Sequence, residues 1–394
     1  MITFANRQWK QNQAGAALAL TKTHLLTTMG VKRSDLPATN SKKSNISDLE
    51  TKVARKVATE SLRLKKGDSV TVESWNNGFS LAKKFVVEAR KLGAHPILIF
   101  EDEDAYIEGV RGSPKDSVGK MGKHEYGLLS VTDAYFFIPN ELLEGYAKRL
   151  TPDEVDESTS YGTSWYEAAE KARLRGARMS FGFAGRELAK MLGKKLDDIV
   201  VHQLKACLVD FDEIKKRGED LQSHLTDGGK GVLVTGDSQL EFEFGVELRI
   251  EDGRADEQDV SKGYNVSYLP PGMLTKSVKS ESVNGKVRLS PSLTWRGVLN
   301  DAVLEFEKGA LVKWSSRSSK EKLDSLINDR PENKRKLEEI SIGLNPLVRY
   351  GFGEDRFVAG SLGVDGLGFT GIVKNGTLRA DQTTLVEKGK LPNM

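Results

Sequence analysis

The sequence of 394 residues contains very little cysteine and histidine, and both shortages limit the chemistry that it can support. The single cysteine, Cys207, excludes an internal disulfide and a paired-cysteine metal site, and it is typical of a protein from a reducing compartment. All five histidines precede residue 225: His24, His95, His124, His202 and His224. Hydrolytic metal sites commonly combine imidazole with carboxylate ligands. A metal site in the later part of the chain would depend on carboxylates alone, which suit magnesium, manganese or calcium.

The chain also lacks long apolar runs and any large excess of one charge. No run approaches the roughly 20 apolar residues of a membrane-spanning helix. The short apolar stretch 14–20 is followed at once by Thr21 and Lys22, and such an early charge interrupts a signal-peptide core. The formal net charge is only +3, which offers no concentrated basic face for nucleic acid. We therefore expect a cytoplasmic protein that has neither nucleic acid nor membrane as a partner.

Strand and helix patterns alternate between residues 48 and 228. Apolar or β-branched runs predict strands at 69–73, 96–100, 134–138 and 177–181. Helix-spaced apolar residues predict helices at 47–62, 79–92, 165–175, 185–192, 197–208 and 212–225. Strand–helix–strand units usually build a parallel sheet. We therefore expect a doubly wound α/β domain over 48–228, preceded by an N-terminal extension over 1–47.

The pattern changes after Gly228 and Gly229. Apolar residues alternate with glutamate over 240–244, which is the period of a half-buried strand, and turn-forming Asx-Gly pairs then recur. A helical pattern returns only over 319–339, where Pro331 is expected to divide it. These features predict a β-rich α+β C-terminal domain over 229–394.

Three segments of this second half resemble a known family. Residues 268–273 read Tyr-Leu-Pro-Pro-Gly-Met, residues 337–345 read Leu-Glu-Glu-Ile-Ser-Ile-Gly-Leu-Asn, and a glycine-rich run follows at 360–369. In this order they resemble the C-terminal half of the thermophilic aminopeptidases called aminopeptidase T or aminopeptidase II, which are two-metal exopeptidases. The resemblance covers about 48–394. It implies the same domain order, in which an α/β domain precedes a β-rich domain that carries the metals.

The resemblance places most of the family's metal ligands on residues that cannot replace them. The family's first glutamate, in a segment close to Asn-Leu-Pro-Thr-Gly-Glu, aligns with Met273, and its second glutamate aligns with Glu339. The first histidine aligns with Ala359, and a His-x-Asp pair aligns with Phe369 and Gly371. Glu339 is therefore the only metal ligand expected, if any metal binds. No cofactor is favoured, and zinc, cobalt or manganese is expected only if the family's activity is retained.

This ligand set leads to two hypotheses. The favoured one is a member of the family whose two-metal peptide-hydrolysing site is largely lost, leaving a binding or assembly role. The alternative is an enzyme acting in the same cleft, either an aminopeptidase with an unusual metal site or a metal-independent hydrolase or lyase. In that case Glu339 is the candidate general base. The candidate ligand-binding residues are Arg349 and Arg356 as anion-binding groups, and Glu354, Asp355 and Asp365 as oxygen ligands.

A third hypothesis is that the alignment is wrong and that His95, His124 or His202 reaches the cleft from the first domain. Such a histidine would restore the imidazole that zinc chemistry needs. The resemblance also implies a homodimer. A peptide or a small molecule is the expected ligand under each of these hypotheses.

Overall fold

The structure is a computed structural model of the chain. It describes residues 40–114, 117–140, 149–180, 182–294, 297–329, 331–348, 355–367 and 369–392. The chain divides into two compact units, Met1–Asn45 and Ile46–Met394. The extension predicted over 1–47 lies almost entirely outside the described residues.

Strands and helices alternate in the first part of the chain, as the sequence predicts. The elements are α1 (Asn40–Lys56), β1 (Ser69–Trp75), α2 (Phe79–Lys91), β2 (His95–Glu101), α3 (Glu103–Gly112), α4 (Lys123–Ser130), β3 (Ala134–Ile138), α5 (Pro152–Lys171), β4 (Arg175–Met179), α6 (Arg186–Leu192), α7 (Leu196–Ala206) and α8 (Phe211–Gln222). None of the helices in the described part of the chain is long and apolar enough to cross a membrane.

Five parallel strands form the first sheet, in the order β2-β1-β3-β4-β7, where β7 is Val266–Leu269. Phe136 of β3 packs on Phe85 of α2, with ring centres 4.8 Å apart. Tyr135 of the same strand packs on Trp165 of α5 at 5.1 Å. Because successive side chains of a strand point to opposite faces, helices cover both sides of the sheet. The predicted doubly wound α/β fold is confirmed.

Some element boundaries differ from the predicted ones. Helix α5 begins at Pro152 rather than Trp165 because a capping box starts it earlier. The Thr151 hydroxyl accepts the Glu154 N–H at 3.3 Å, and the Glu154 carboxylate accepts the Thr151 N–H at 2.6 Å. Proline at the first helical position suits this start, since it has no N–H that needs a partner. Two further shifts are the start of α1 and the position of β4. Helix α1 begins at Asn40 rather than 47, and a π-helical turn, Val57–Ser61, continues it almost to the predicted end at 62. Strand β4 is Arg175–Met179 and not 177–181.

Antiparallel strands dominate the rest of the chain. They are β5 (Lys230–Thr235), β6 (Ser238–Glu251), β8 (Met273–Val278), β9 (Asn284–Arg288), β10 (Ser292–Thr294), β11 (Gly297–Leu299), β12 (Ala302–Glu307), β13 (Ala310–Ser316), β14 (Glu339–Gly343), β15 (Leu362–Asp365), β16 (Gly371–Val373), β17 (Thr377–Ala380) and β18 (Thr383–Val386), with the helices α9 (Glu257–Ser261) and α10 (Lys320–Asn328). One large sheet runs in the order β13-β12-β9-β6-β8-β14-β15-β16, and β5, β17 and β18 extend it from β6. The predicted β-rich α+β region is confirmed.

Strand β7 connects the two parts of the unit. Although it lies beyond residue 228, it pairs with β4 in the parallel sheet, with Ala177 opposite Ser267. The parallel sheet therefore includes chain from the range 229–394. The boundary expected between 228 and 229 stays a prediction.

The helix predicted over 319–339 is wrong in its second half. Helix α10 ends at Asn328, before Pro331, and residue 339 begins strand β14. Ile340 and Ile342 are each 1% exposed, whereas Glu339, the first residue of β14, is half-buried. Burial of alternate residues in the sheet therefore overrides the local helical pattern. As a result Glu339 lies on a strand and not at a helix end.

Candidate functional site

Four neighbouring strands of the large sheet, β6, β8, β14 and β15, form the floor of a cleft. One face of these strands is apolar and packs into the core, where Leu274, Ile342 and Val364 are each no more than 1% exposed. Successive side chains of a strand alternate between the two faces. The residues between these core positions therefore point away from the core and into the cleft.

The cleft face carries mostly polar residues, which the strand register arranges in three rows. Pairing places Met273 between Glu251 and Gly343, Thr275 between Arg249 and Ser341, and Glu339 between Ser277 and Asp365. Side chains directly opposite each other in an antiparallel pair lie about 5 Å apart at Cβ. Carboxylates, a guanidinium group, hydroxyls and one thioether therefore share a single surface.

The cleft encloses a cavity of about 260 Å³ above this floor. Tyr264 and Tyr268, before and within β7, form one wall. Arg356 and Phe357, from the short 3-10 turn Asp355–Phe357, form another. The cavity thus lies where the end strand of the parallel sheet meets the antiparallel sheet.

Asn345 joins two of the segments that carry the family resemblance. Its side-chain amide is fully buried and donates to the Pro271 carbonyl oxygen at 2.7 Å. Gly343 allows a close approach of the chain on the other side, because a Cβ atom there would lie 2.1 Å from the Val358 carbonyl oxygen. These contacts hold the start of β8 against the end of β14. The position of Met273 in the floor is therefore set by the backbone around it.

Glu339, the candidate catalytic residue, lies half-buried in the cavity floor. Burial raises its pKa above the usual range, and the carboxylates of Asp365, Glu247 and Glu338 raise it further, while the Arg356 guanidinium opposes them. Its carboxylate forms no hydrogen bond or ion pair with any residue that the structure describes. Such a group can take a proton from a bound molecule.

Glu251 is a candidate that the sequence reasoning missed. Its side chain is only 3% exposed, and burial raises its pKa to about 7 although Arg249 lies beside it. The Arg249 guanidinium donates to the carboxylate at 3.0 Å, and the Gly253 N–H donates to it at 3.3 Å. A carboxyl group with a pKa near neutrality can act as an acid or a base at physiological pH. The alternation of polar and apolar residues over 247–251 was the available sequence signal.

Arg249 also connects the floor to the tyrosine wall. Its guanidinium carbon lies 5.0 Å from the ring centre of Tyr264 and 5.6 Å from that of Tyr268, and it donates to the Val266 carbonyl at 2.7 Å. The Tyr268 and Tyr166 hydroxyl oxygens are 3.1 Å apart. Burial, and then this neighbouring tyrosine, raise the pKa of Tyr268, so its hydroxyl stays protonated. Arginine over aromatic rings forms a rigid, charged wall.

The residues at the positions aligned with the family's other metal ligands make apolar contacts. Met273 packs against the cluster that contains Phe357, and Ala359 packs against the main core. Phe369 is 6% exposed within that core. Gly371 lies in β16, where a Cβ atom would be 2.7 Å from the Leu289 side chain. None of these positions offers a nitrogen or oxygen donor from its side chain.

The donors that are present do not fit the two-metal centre of the resembled family. Among the described residues, no three His, Cys, Asp or Glu side chains come together in a way that could hold a metal ion. Glu339 lies in the cleft, but Met273, which lines the same cavity, supplies a thioether, which is a soft ligand unsuited to hard hydrolytic metals. No mechanistic step through a metal follows from this set of side chains.

The remaining predicted residues have different positions. Arg356 lines the cavity, and Asp365 stands beside Glu339, where its carboxylate accepts the Thr370 hydroxyl at 2.6 Å. Arg349 and Glu354 lie outside the described residues, and only the backbone of Asp355 is described. Within the part of the chain that is described, the cavity lining includes none of His95, His124 and His202.

Comparison with known proteins identifies a family and two similar folds. A family model for the thermophilic metalloproteases called M29 matches residues 47–348. The fold is similar to that of wild-type AmpT from Thermus thermophilus, with a TM-score of 0.66, 15% identity, and coverage of 89% of this chain and 99% of that one. It is also similar to 2,5-dihydroxypyridine dioxygenase from Pseudomonas putida KT2440, with a TM-score of 0.60, 14% identity, and coverage of 88% and 98%. No curated protein matches the chain.

Proposed function

The chain belongs to the M29 family of thermophilic metalloproteases, and we propose that it is a diverged member whose cleft binds a small ligand without the family's two-metal peptide hydrolysis. The family predicted from the sequence is confirmed by the match over residues 47–348. That match ends before Ala359, Phe369 and Gly371, the positions at which the resemblance expects a histidine and a His-x-Asp pair. Three of the family's expected ligand positions therefore lie outside the segment that the family model matches.

The observation that carries this proposal is the position of Met273. It stands on the cleft floor at the start of β8, in register between Glu251 and Gly343, at the place where the family's first glutamate ligand is expected. A thioether neither holds a hard divalent cation nor activates a water molecule. Two-metal hydrolysis would therefore lack one of its ligands in this cleft.

Two arginines supply positive charge in this cleft. Arg249 pairs with Glu251, and Arg356 opposes the rise in the pKa of Glu339. A guanidinium group is always charged at physiological pH, and its fork of N–H donors fits a carboxylate. It also repels a divalent cation. Arginine therefore favours a ligand with an anionic group over a bound metal pair.

The size and charge of the cavity indicate a small zwitterion, such as an amino acid or a short peptide. A volume of about 260 Å³ is just below the range of roughly 300–1,000 Å³ that is usual for drug-sized ligands. Glu247 and Glu339 can accept an ammonium group, and Arg356 can bind a carboxylate. Tyr264 and Tyr268 offer aromatic surface between these groups.

The fold by itself does not decide between peptidase and other activities. Its structural neighbours include both AmpT and a 2,5-dihydroxypyridine dioxygenase, so one architecture is associated with different chemistry. The function of this chain must therefore be argued from its own side chains. Those side chains favour binding over metal-dependent hydrolysis.

A cytoplasmic homodimer completes the proposal. The single cysteine, Cys207, is buried, and a chain that cannot form an internal disulfide suits a reducing compartment. The homodimer follows from the family resemblance.

A metal-independent enzyme in the same cleft is the second candidate, and Glu339 is the observation that favours it. Its raised pKa and the lack of a hydrogen-bond partner among the described residues suit a general base. Glu251, with a pKa of about 7, could supply the matching acid. This candidate predicts turnover that persists when divalent metals are removed.

The first experiment is metal analysis of the purified protein after loading with manganese, cobalt and zinc, paired with calorimetric titration of amino acids and short unblocked peptides. If the proposal is right, the purified protein retains substoichiometric metal, binds at least one zwitterion and releases no amino acid from the peptides. Near-stoichiometric metal together with peptide release would overturn the proposal. Release of product without metal would select the second candidate.

A pair of matched variants tests whether the ligand binds in the cleft. Glu339→Gln removes the carboxylate from the floor, whereas Glu338→Gln changes the neighbouring exposed side chain and serves as the control. We expect ligand affinity to fall by about tenfold or more in Glu339→Gln, because a charge-assisted hydrogen bond contributes about 1.5–3 kcal/mol. The control should bind as the natural protein does. Equal affinities for both variants would place the ligand elsewhere.

A further inference from the structure

The carboxyl-terminal edge of the parallel sheet carries an arginine that has no ion-pair partner in the described chain. Strand register places Phe137 of β3, Arg178 of β4 and Tyr268 of β7 side by side, each one residue before the end of its strand. Residues opposite each other in adjacent strands point to the same face of a sheet. Open α/β sheets bind ligands outside the carboxyl ends of their parallel strands. These three side chains therefore lie where such a sheet offers a binding surface.

Arg178 is half-buried and keeps its donors unused. Its guanidinium carbon lies 5.1 Å from the centre of the Phe137 ring, and the group forms no hydrogen bond or ion pair with any residue that the structure describes. Arg175, near the other end of β4, instead donates to the Asp68 carboxylate at 2.7 Å and to the Leu62 carbonyl oxygen at 2.8 Å. A guanidinium group that is partly removed from water without such partners is costly. An anion bound to Arg178 would supply the missing acceptors.

The carboxyl group in the same row of side chains, Glu73 of β1, does not neutralise Arg178 by contact. Phe137 lies between them in register, so the two backbones are two strand spacings apart, which is about 10 Å. Burial raises the pKa of Glu73, the Tyr135 hydroxyl that donates to its carboxylate opposes this rise, and the Arg178 guanidinium opposes it least. The positive charge of Arg178 therefore remains available to a ligand.

Two tyrosine hydroxyls add further donors beside the guanidinium group. Tyr268 is next to Arg178 in register, and its hydroxyl oxygen is 3.1 Å from that of Tyr166 on α5. Neither hydroxyl makes another hydrogen bond with the described residues. One O–H donates to the other oxygen, which leaves the second O–H free. Because Tyr166 is 37% exposed, a molecule from solvent can reach this pair.

Tyr268 also connects this edge to the cleft, because it lines the cavity above the cleft floor. Burial raises its pKa most, and the guanidinium groups of Arg178 and Arg249 both oppose this rise. Tyr268 therefore lies within electrostatic reach of two arginines, Arg249 in the cleft and Arg178 at the sheet edge. The surface around Arg178 adjoins the cleft through one side chain.

We propose that Arg178, together with the hydroxyls of Tyr166 and Tyr268, binds an oxyanion at the carboxyl-terminal edge of the parallel sheet. The fork of N–H donors on a guanidinium group fits two oxygen atoms of a carboxylate or a phosphate. The anion is either a free inorganic ion or an acidic group on the ligand of the neighbouring cleft. This second source rests on the proposed function, whereas the first does not.

Calorimetric titration of the full chain with inorganic phosphate, at constant ionic strength, tests the first source. Arg178→Gln should weaken phosphate binding by about tenfold or more, because it removes the charged donor. Arg178→Lys keeps the charge without the fork and should recover part of the affinity. Arg90→Gln is the matched control, since Arg90 is exposed in the last turn of α2, which leads into the start of β2 and so lies at the opposite edge of the sheet. The control should bind phosphate as the natural protein does.

Glutamate and glutamine test the second source, because they have nearly the same size and differ in one acidic group. If that group binds at Arg178, glutamate should bind about tenfold more tightly than glutamine, and Arg178→Gln should remove the difference. If the site takes free anions only, the two amino acids bind alike and phosphate alone responds to Arg178→Gln. Failure of both amino acids to bind would count against the proposed function, and the phosphate titration would still decide this site.

Tyr166→Phe tests the site without changing its charge or the sheet. It removes one exposed hydroxyl and should weaken binding of the same anion by about two- to tenfold, as expected for a neutral hydrogen bond. This variant also carries the test if Arg178→Gln does not fold, which urea unfolding of each variant would show. The proposal is overturned if neither phosphate nor glutamate binds, if their affinities are unchanged in the Arg178 and Tyr166 variants, or if Arg90→Gln loses as much affinity as Arg178→Gln.

Discussion

Replacing Glu251 by glutamine tests whether a buried carboxyl group of the cleft titrates near neutral pH. Glutamine keeps the size of the side chain and an oxygen that can accept the Arg249 hydrogen bond, but it cannot ionise. The natural protein and the variant should therefore differ in how their stability depends on pH. At a pH where Glu251 is protonated, the two side chains are closely alike.

The magnitude follows from the pKa of Glu251 in the folded state. Burial raises that pKa from 4.5 to about 7, so the folded protein binds a proton more tightly than the unfolded chain does. The stabilisation is therefore complete below about pH 4.5 and is lost as pH rises through about 7. Each pKa unit corresponds to about 1.4 kcal/mol, which makes the loss about 3 kcal/mol.

The assay is urea unfolding followed by circular dichroism at a series of pH values from 5 to 8. The free energy of unfolding of the natural protein, relative to Glu251→Gln, should fall by about 2–3 kcal/mol across this range. Glu241→Gln, an exposed change on the same strand β6, is the control, and its profile should run parallel to that of the natural protein. The reasoning is refuted if the free energy of unfolding of the natural protein, minus that of Glu251→Gln, stays constant or rises as pH increases from 5 to 8.

Two further changes test the floor of the cleft. Met273→Glu should lower the free energy of unfolding, measured in urea titrations, by about 1–3 kcal/mol at pH 8, because it places a carboxylate beside Glu251 and against apolar neighbours. If added manganese restores this free energy, the variant has a site that can bind a metal. Gly363→Ala should cost about 1–3 kcal/mol in the same titrations, since a Cβ atom would lie 2.2 Å from the Ser341 hydroxyl oxygen. Adding Ser341→Gly should restore most of that stability, and no restoration would mean that the clash is not the cause.

The fold was predictable from the sequence to the extent that local pattern and packing agree. The strands at 69–73, 96–100 and 134–138 appear within one or two residues of their predicted bounds, because apolar and β-branched residues favour strands. The run at 96–100 nevertheless forms the edge strand β2, where Ile97 and Phe100 are about half exposed. Helix α5 began earlier than predicted although its capping box, Thr151 to Glu154, is visible in the sequence. That miss came from weighting the apolar spacing above the start signal.

Glu339 shows where local pattern misleads. Lysine and glutamate over 319–339 favour a helix in isolation, but Ile340 and Ile342 each gain a fully buried place in the large sheet. Burial of two such side chains outweighs a helix propensity that differs by less than about 1 kcal/mol per residue. Glu339, which the family resemblance selects as the candidate catalytic residue, lines the cleft, and its role there stays a prediction.

Glu251 and Arg249 could not have been assigned to the site from the sequence alone. The alternation over 247–251 indicates a strand, and it separates the polar residues from Leu248 and Ile250. It does not say which face of the sheet remains open. That depends on the tyrosines before and within β7, which reach the cleft only because β7 joins the distant parallel sheet.

The pKa of Glu251 links the two candidate functions of the cleft. When Glu251 is protonated, the guanidinium of Arg249 has no ionised partner and its charge is available to an anionic ligand. When Glu251 loses its proton above pH 7, it competes with that ligand for the same guanidinium. Simple binding should therefore weaken steadily as pH rises through 7. Catalysis that also needs Glu339 as an ionised base would instead pass through a maximum, so the shape of the pH profile separates the two candidates.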